Sequence, residues 1–373
     1  MTQVETGLAP IPVPALPHGI DTPAVVVDLA RMEGNIARLQ DELDRRGVAL
    51  RPHAKTHKSV RVAQLQIRAG ARGITVGTLG EAEVFAAAGL RDLFIAYPVW
   101  ADGPKAGRLR DLHDAAELRV GVDSVAGAER LAAAVAGARQ PLTVLVETDS
   151  GLHRTGVAAP AAAVDVAVAA RRAGLVVAGV FTHGGHSYRP GERAAVAAQE
   201  VASLEAAAGA LESAGIEVGT ISAGSTPTMV EAATGRVNEI RAGTYVLGDR
   251  QQWVLGTIPP EGVAAFVAAT VVSEAPGRVV LDAGAKALTK DRADWLDGFG
   301  LMPAYPDGVI ERLNDYHGMT GFPAGARRPS LGEVVAVAPN HVCPVIDLFD
   351  DFWVVAGDGS AERWPVDARG RSG

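Results

Sequence analysis

The sequence predicts an α/β protein: a (β/α)8 TIM-type barrel with a smaller, mainly β domain. Three observations predict it. From residue 24 to about 248, short apolar runs alternate with alanine-rich helical stretches. The runs are continuously apolar, as expected of parallel strands covered on both faces. Beyond about residue 262 the long helices stop, while strand-like runs continue between Gly, Pro and Asp.

In chain order the expected strands are AVVVDL (24–29), VALRPHA (48–54), GITVGT (73–78), DLFIAYPV (92–99), LRVGVDS (118–124), LTVLVETDS (142–150), LVVAGVFTH (175–183), TISAGST (220–226) and EIRAGTYVLG (239–248). Stretches such as VAGAERLAAAVAGA and AAVAAQEVASLEAAAGALESAG lie between them. They are rich in strong helix formers with apolar residues at helical spacing. Nine runs are one more than an eight-stranded barrel needs, so one strand belongs elsewhere. A doubly wound sheet is the alternative, but no GxGxxG follows the first run. The β domain is expected from VAAFVAATVVSE, GRVVLDAGA, EVVAVAPN and DFWVVAG. The predicted division is a barrel over 22–260 and a β domain over 261–373. The closing DARGRSG reads as frayed.

Composition narrows the function. A chain of 373 residues with 48% hydrophobic and 21% charged residues reads as globular. Its net charge of −8 argues against a general nucleic-acid binder. No apolar run is long enough to span a bilayer. The opening MTQVETGLAPIPVPALPHG lacks the pattern of a signal peptide. A single cysteine, Cys343, rules out an intrachain disulfide and suits a reducing, cytoplasmic setting.

In a barrel, chemistry sits where strands end. That rule selects His53 and Lys55 after the second run, His153 and Arg154 in GLHRTG, and His183, His186 and Tyr188 in THGGHSY. It also selects Gly224, Ser225 and Thr226 in SAGST, then Gly243, Tyr245 and Asp249. Each has an ordinary reading as a surface charge or loop residue; their conjunction at successive strand ends shifts the odds. RPHAKTHK, residues 51–58, gathers positive charge in one place. Arg51, His53 and Lys58 give Lys55 like-charge neighbours, which disfavour its ammonium form. A neutral amine can form a Schiff base with an aldehyde cofactor. Pyridoxal phosphate also needs a phosphate site. SAGST offers hydroxyls and N–H groups, and PTMVEAATG (227–235) looks like a helix whose N-terminus faces the anion. Arg154 could hold the cofactor's phenolic oxygen as its anion.

A second constellation is His341 and Cys343 in APNHVCPV. On a strand, residues i and i+2 share a face. An imidazole and a thiolate there could share a metal, with open positions for substrate.

These segments together resemble the D-threonine aldolase and D-serine dehydratase family, fold-type III pyridoxal-phosphate enzymes related to alanine racemase through the barrel. RPHAKTHK, GLHRTG, GGHSY, SAGSTPT, EIRAGTYV and PNHVC carry the resemblance, over about residues 20 to 358. It implies Lys55 as the residue that binds pyridoxal 5'-phosphate covalently, and Arg154 at the phenolic oxygen. Tyr188 would lie near cofactor or substrate, and His53 would be among the acid–base groups, with His57, His183 and His186 as other candidates. Gly224, Ser225, Thr226, Gly243 and Tyr245 would bind the phosphate. His341 and Cys343 would hold a divalent metal (zinc, manganese or magnesium). The implied activity is cleavage of a D-3-hydroxy amino acid to glycine and an aldehyde. The alternative is dehydration of the D-serine dehydratase type, or a related 3-hydroxyaspartate lyase. A non-catalytic cofactor-binding protein ranks lower, because it accounts for neither the β domain nor the His–Cys pair, and a racemase ranks lower because it does not account for that pair. The resemblance also implies a homodimer, a small D-amino acid as partner, and an N-terminal segment, residues 1–30, whose first strand joins the β domain. His317 could reach the site, but Asn314 and Tyr316 depart from the family pattern.

Overall fold

The computed structural model describes residues 7–373. The chain forms two compact units. One comprises residues 39–55, 62–243 and 370–373; the other comprises the described residues up to Arg38, with 56–61 and 244–369.

The chain begins with strand β1 (Ala24–Asp28) and helix α1 (Leu29–Arg45). The barrel unit then lays down β2 (Ala49–Leu50), β3 (Ile74–Val76), β4 (Asp92–Pro98), β5 (Glu117–Val122), β6 (Thr143–Glu147), β7 (Val176–Phe181), β8 (Thr220–Ala223) and β9 (Glu239–Ile240). Helices α2 (Val60–Arg68), α3 (Leu79–Ala87), α4 (Pro104–Ala115), α5 (Val125–Ala134), α6 (Pro160–Arg172) and α7 (Arg193–Ser213) connect them. The strands are parallel, in the order β2-β9-β8-β7-β6-β5-β4-β3. His53, just beyond β2, bridges in parallel to Thr75 of β3, and Thr75 N–H donates to the Pro52 carbonyl at 2.9 Å. The two end strands therefore meet and the eight-stranded sheet closes. Its interior packs Phe94, Leu145 and Phe181, with the two phenyl rings edge to face at 5.1 Å. Gly179 is dictated by strand contact: at φ +153° a Cβ there would lie 1.9 Å from the Thr220 carbonyl oxygen.

The β unit contains β10 (Ala265–Ala275), β11 (Arg278–Leu281), β12 (Val309–Leu313), β13 (Gly318–Gly321), β14 (Val334–Val337), β15 (Asp351–Val355) and β16 (Ala361–Pro365). Three short helices accompany them: α8 (Arg250–Val254), α9 (Ala285–Leu288) and α10 (Val342–Ile346). Its sheet order is β12-β13-β11-β10-β1-β15-β16, with β14 also on β10. The ninth expected strand is thus β1, antiparallel to β10 and parallel to β15.

Two expectations are corrected. The predicted division at residue 260 lies too late. The barrel unit's main run ends at Gly243, because Trp253 and Val254 pack with Val263, Phe266, Leu301 and Ala336 of the β unit. The N-terminal strand is a different matter: it is expected in the β domain, and the β unit includes it, while the first six residues of the segment lie outside the described ones. Nor is the end of the chain frayed: Arg371 carbonyl accepts from Thr78 Oγ1 at 2.6 Å, and Gly373 carbonyl from Gly80 N–H at 3.1 Å. No helix among the described residues is long and apolar enough to cross a membrane.

Candidate functional site

The barrel unit gathers its chemistry where β2, β6, β7, β8 and β9 end. Lys55 is exposed in a 3₁₀ turn, Ala54–Thr56, and its N–H faces His53 Nδ1 at 3.4 Å. His183 follows β7. Burial first, then the positive charges of Lys55, Arg154 and Arg241, hold its imidazole well below the ordinary range, against a hydrogen bond to the Gly224 carbonyl. His183 is therefore neutral at physiological pH, and Lys55 and Arg154 lie within electrostatic reach of it. Tyr188 is half-buried just past the short turn Gly185–Ser187. His186 pairs through Nε2 with Gln199 Oε1 at 2.7 Å, and exposed His153 pairs with Asp149 at 2.6 Å.

The positive charge of RPHAKTHK is largely matched. Arg51 is fully buried, donating to both carboxylate oxygens of Asp92 at 2.7 and 3.0 Å and to Glu239 at 2.8 Å. Lys58, in the β unit, donates to Asp347 at 2.7 Å. Arg51 and Lys58 therefore form ion pairs, and the expectation that they act as bare cations on Lys55 is corrected. Gly73 leaves room for the buried guanidinium: a Cβ there would lie 2.2 Å from Arg51 Nη1.

Three buried charges were not selected from the sequence. Arg241, just past β9, donates to Ser222 Oγ at 2.6 Å and to the Thr182 carbonyl at 2.5 Å, above the rings of Phe181 and Phe94. Glu147 ends β6 and accepts from Thr155 Oγ1 at 2.9 Å; burial pushes its carboxyl up to about 7. Glu200 of α7 is also fully buried and shifted upward by burial. Nothing in a single sequence separates such groups from solvated charges, since their partners come from distant segments.

The phosphate-type turn differs from expectation. Residues 227–235 form successive turns and no helix. Ser225 and Thr228 exchange side-chain and backbone bonds, with Ser225 N–H donating to Thr228 Oγ1 at 3.1 Å. Such local bonds compete with helix formation, and Pro227 and Gly235 confine what remains. The Gly224 N–H is engaged by Glu200 Oε1 at 3.1 Å. Thr226 is different: its hydroxyl is buried and has no hydrogen-bond partner among the described residues. Gly224 adopts φ +105°, and a Cβ there would approach Ile240 Cγ2 to 3.2 Å. Gly243 and Tyr245 are both buried, Gly243 in the barrel unit and Tyr245 in the β unit.

In the β unit, His341 and Cys343 are brought together, but not on a strand. His341 precedes α10 and Cys343 occupies its first turn. The i, i+2 argument from strand geometry is corrected accordingly. Their proximity comes from the chain turning into a helix. One buried carboxylate, Asp249, sets that turn: it caps α8 through Gln252 N–H at 2.9 Å and accepts from Val342 N–H at 3.1 Å. Burial pushes Asp249 up to about 6. His341 Nδ1 donates to Asp291 Oδ2 at 2.6 Å. Burial opposes charge on His341, but Cys343, Asp291 and Asp249 outweigh it and raise the imidazole well above its ordinary range. The Cys343 Sγ lies 3.2 Å from Thr56 Oγ1 and 3.6 Å from Thr244 Oγ1. Among the described residues, no group of three or more His, Cys, Asp or Glu side chains forms a metal cage. His57 is buried in this unit, with Nδ1 accepting from Ser59 N–H at 3.1 Å. His317 is exposed between β12 and β13.

Comparison with known proteins gives this geometry a family. The model of the alanine racemase N-terminal domain matches residues 27–251, and a serine dehydratase domain model matches 264–355. The D-threo-3-hydroxyaspartate dehydratase of Delftia sp. (strain HT23) is 38% identical, across 92% of this chain and 97% of its own. The chain belongs to the D-threonine aldolase and D-serine dehydratase family. The D-threonine aldolase of an Arthrobacter species is 37% identical across 99% of both chains. A solved D-threo-3-hydroxyaspartate dehydratase, a cysteine-to-alanine mutant in the metal-free form, superposes with a TM-score of 0.86 at 36% identity, covering 93% of this chain and 97% of that one. The family is one of pyridoxal-phosphate enzymes, and its named members here are lyases.

The residues present fit that cofactor. The barrel unit offers an exposed amine, Lys55, and a buried, partnerless hydroxyl, Thr226, in a turn kept clear of side chain at Gly224. The donor set also fits a divalent metal. An imidazole oriented by a carboxylate on its other nitrogen is the usual support of a metal-binding histidine, and Cys343 adds a soft sulfur.

Proposed function

We propose that the chain is a pyridoxal-phosphate- and divalent-metal-dependent lyase of the D-threonine aldolase type. It cleaves a D-3-hydroxy amino acid into glycine and an aldehyde. The observation that carries this reading is the grouping within the barrel unit of exposed Lys55, Arg154 and a neutral His183. Bound pyridoxal phosphate supplies an electron sink for the breaking Cα–Cβ bond. Lys55 holds the cofactor through its amine, and Arg154 faces the phenolic oxygen. The Thr226 hydroxyl donates to the phosphate, with Ser225 and Gly243 completing its surroundings and Gly224 leaving space. Neutral His183 is suited to take up the proton of the substrate's β-hydroxyl, with His53 and Tyr188 as the neighbouring proton-bearing groups. His341 and Cys343 would hold the metal, whose Lewis acidity lowers the pKa of a coordinated hydroxyl. A homodimer in the cytoplasm completes the proposal, and the single cysteine is at home in that compartment.

A second reading is dehydration of a D-3-hydroxy amino acid to a keto acid and ammonia, favoured by the 38%-identical dehydratase relative. Purified protein is incubated with D-threonine, D-serine and D-threo-3-hydroxyaspartate, with and without a chelator. Glycine with an aldehyde, lost on chelation, supports the aldolase; a keto acid with ammonia supports the dehydratase. Neither product from any substrate, with the cofactor bound, refutes both. Lys55→Ala is expected to abolish the visible absorbance of bound pyridoxal phosphate; a surviving band removes Lys55 from its role.

A further inference from the structure

We infer that Glu200 is the positioning residue that fixes the phosphate turn of the barrel unit and ties it to the loop carrying Tyr188. Glu200 projects from α7 and is fully buried. One of its oxygens, Oε1, accepts two backbone N–H groups from different loops: Gly184 at 2.8 Å and Gly224 at 3.1 Å. Gly184 belongs to the loop after β7 that leads to Tyr188, and Gly224 opens the turn after β8. A second tie runs alongside, Ser187 Oγ to Ser225 Oγ at 2.9 Å. Ser187 Oγ also donates to the Gly184 carbonyl at 2.6 Å. The loop composition is built around this carboxylate. A Cβ on Gly184 would lie 2.6 Å from Glu200 Cδ and 2.9 Å from Val196 Cγ1.

A buried carboxylate beside a phosphate turn is unexpected, since like charge repels the ligand. Its cost is acceptable because it faces donors rather than the anion. Two backbone N–H groups that cannot bond within the sheet need an acceptor there, and one carboxyl oxygen satisfies both. With that oxygen removed, both buried N–H groups lose their partner. The turn then has reason to move, and the Thr226 hydroxyl moves with it. The role is indirect: Glu200 sets where Thr226 points.

This inference rests on the reading of residues 224–226 as the phosphate site. The test compares binding of pyridoxal phosphate with binding of pyridoxal, which lacks the phosphate, to cofactor-free protein, followed by absorbance. Glu200→Ala is expected to lose at least about tenfold in the preference for the phosphorylated form, with pyridoxal affinity changed by less than about threefold. Glu200→Gln keeps an acceptor oxygen and is expected to retain the preference within about threefold. If Glu200→Ala fails to fold, Gly184→Ala displaces the same carboxyl and is expected to show the same loss. Equal loss of both ligands would mean general damage and overturn the inference. So would an unchanged preference, or a tenfold loss in Glu200→Gln. If the unsubstituted protein shows no preference for pyridoxal phosphate over pyridoxal, the phosphate reading itself fails, and this inference with it.

Discussion

Glu147 provides a quantitative test of how the barrel unit handles buried charge. Its carboxyl is 3% exposed at the end of β6, and burial raises its pKa to about 7 against Thr155 and Arg154, which pull it down. An unfolded chain returns it to its ordinary value of 4.5. A raised carboxyl pKa means that the folded state binds the proton more tightly. The stabilisation is fully present below pH 4.5 and is lost as pH rises through about 7. At about 1.4 kcal/mol per pH unit, the whole effect is about 3 kcal/mol, most of it lying between pH 5 and pH 8. Glu147→Gln preserves the shape and the oxygen that accepts from Thr155 but cannot ionise. Urea unfolding of the cofactor-free protein, run at intervals from pH 5 to pH 8, measures both proteins. Subtraction removes titrations that the two share. The unsubstituted protein is expected to lose about 2–3 kcal/mol relative to Glu147→Gln across that range. Parallel profiles would show that Glu147 is solvated or paired well enough to ionise normally, and would refute the reasoning.

Other outcomes follow from the same structure. Arg51→Met leaves Glu239 and Asp92 without their shared cation and is expected to cost about 3–5 kcal/mol in urea unfolding; adding Glu239→Gln should recover part of the loss. Gly179→Ala forces a Cβ to within 1.9 Å of the Thr220 carbonyl, so a large drop in thermal midpoint is expected by calorimetry, whereas Gly209→Ala, inside α7 with open space around its Cβ, should raise the midpoint slightly. Cys343→Ser is expected to lower bound metal, measured by mass spectrometry of the digested protein, while leaving the visible cofactor absorbance in place. Unchanged metal content would remove Cys343 from the proposed ligand pair.

The barrel was legible because its strands are buried on both faces, which leaves continuous apolar runs such as TVLVE at β6 and VVAGVF at β7. The extra run was legible as a count, one strand too many. The short strands β12, β13 and β16 were not, because Gly, Arg and Glu interrupt their apolar pattern. Site segments were visible where residue type and strand end coincide, as at Lys55 and His183. Arg51 misled: it reads as a like-charge neighbour of Lys55, yet Asp92 and Glu239 neutralise it from positions far along the chain. The segment 227–235 has helix-forming composition, but Ser225 and Thr228 divert its backbone. Glu200 is invisible in a helix of AAVAAQEVASLEAAAG texture, where one glutamate resembles any other. What the sequence hides is mainly the pairing of charges, which tertiary structure alone decides.

The place of β1 bears on how this chain reaches its native state. β1 lies between β10 and β15, so the strand at Ala24–Asp28 is synthesised long before Ala265–Ala275 and Asp351–Val355 exist to pair with it. The barrel strands, by contrast, follow one another from Ala49 to Ile240 and can assemble as they emerge. On a ribosome, AVVVD would remain an exposed apolar strand with two open edges until nearly the whole chain is made, the kind of segment prone to wrong pairing. Its non-local contacts also predict slow completion of the β unit. A circular permutant that moves this strand next to β10 in the chain would shorten that wait.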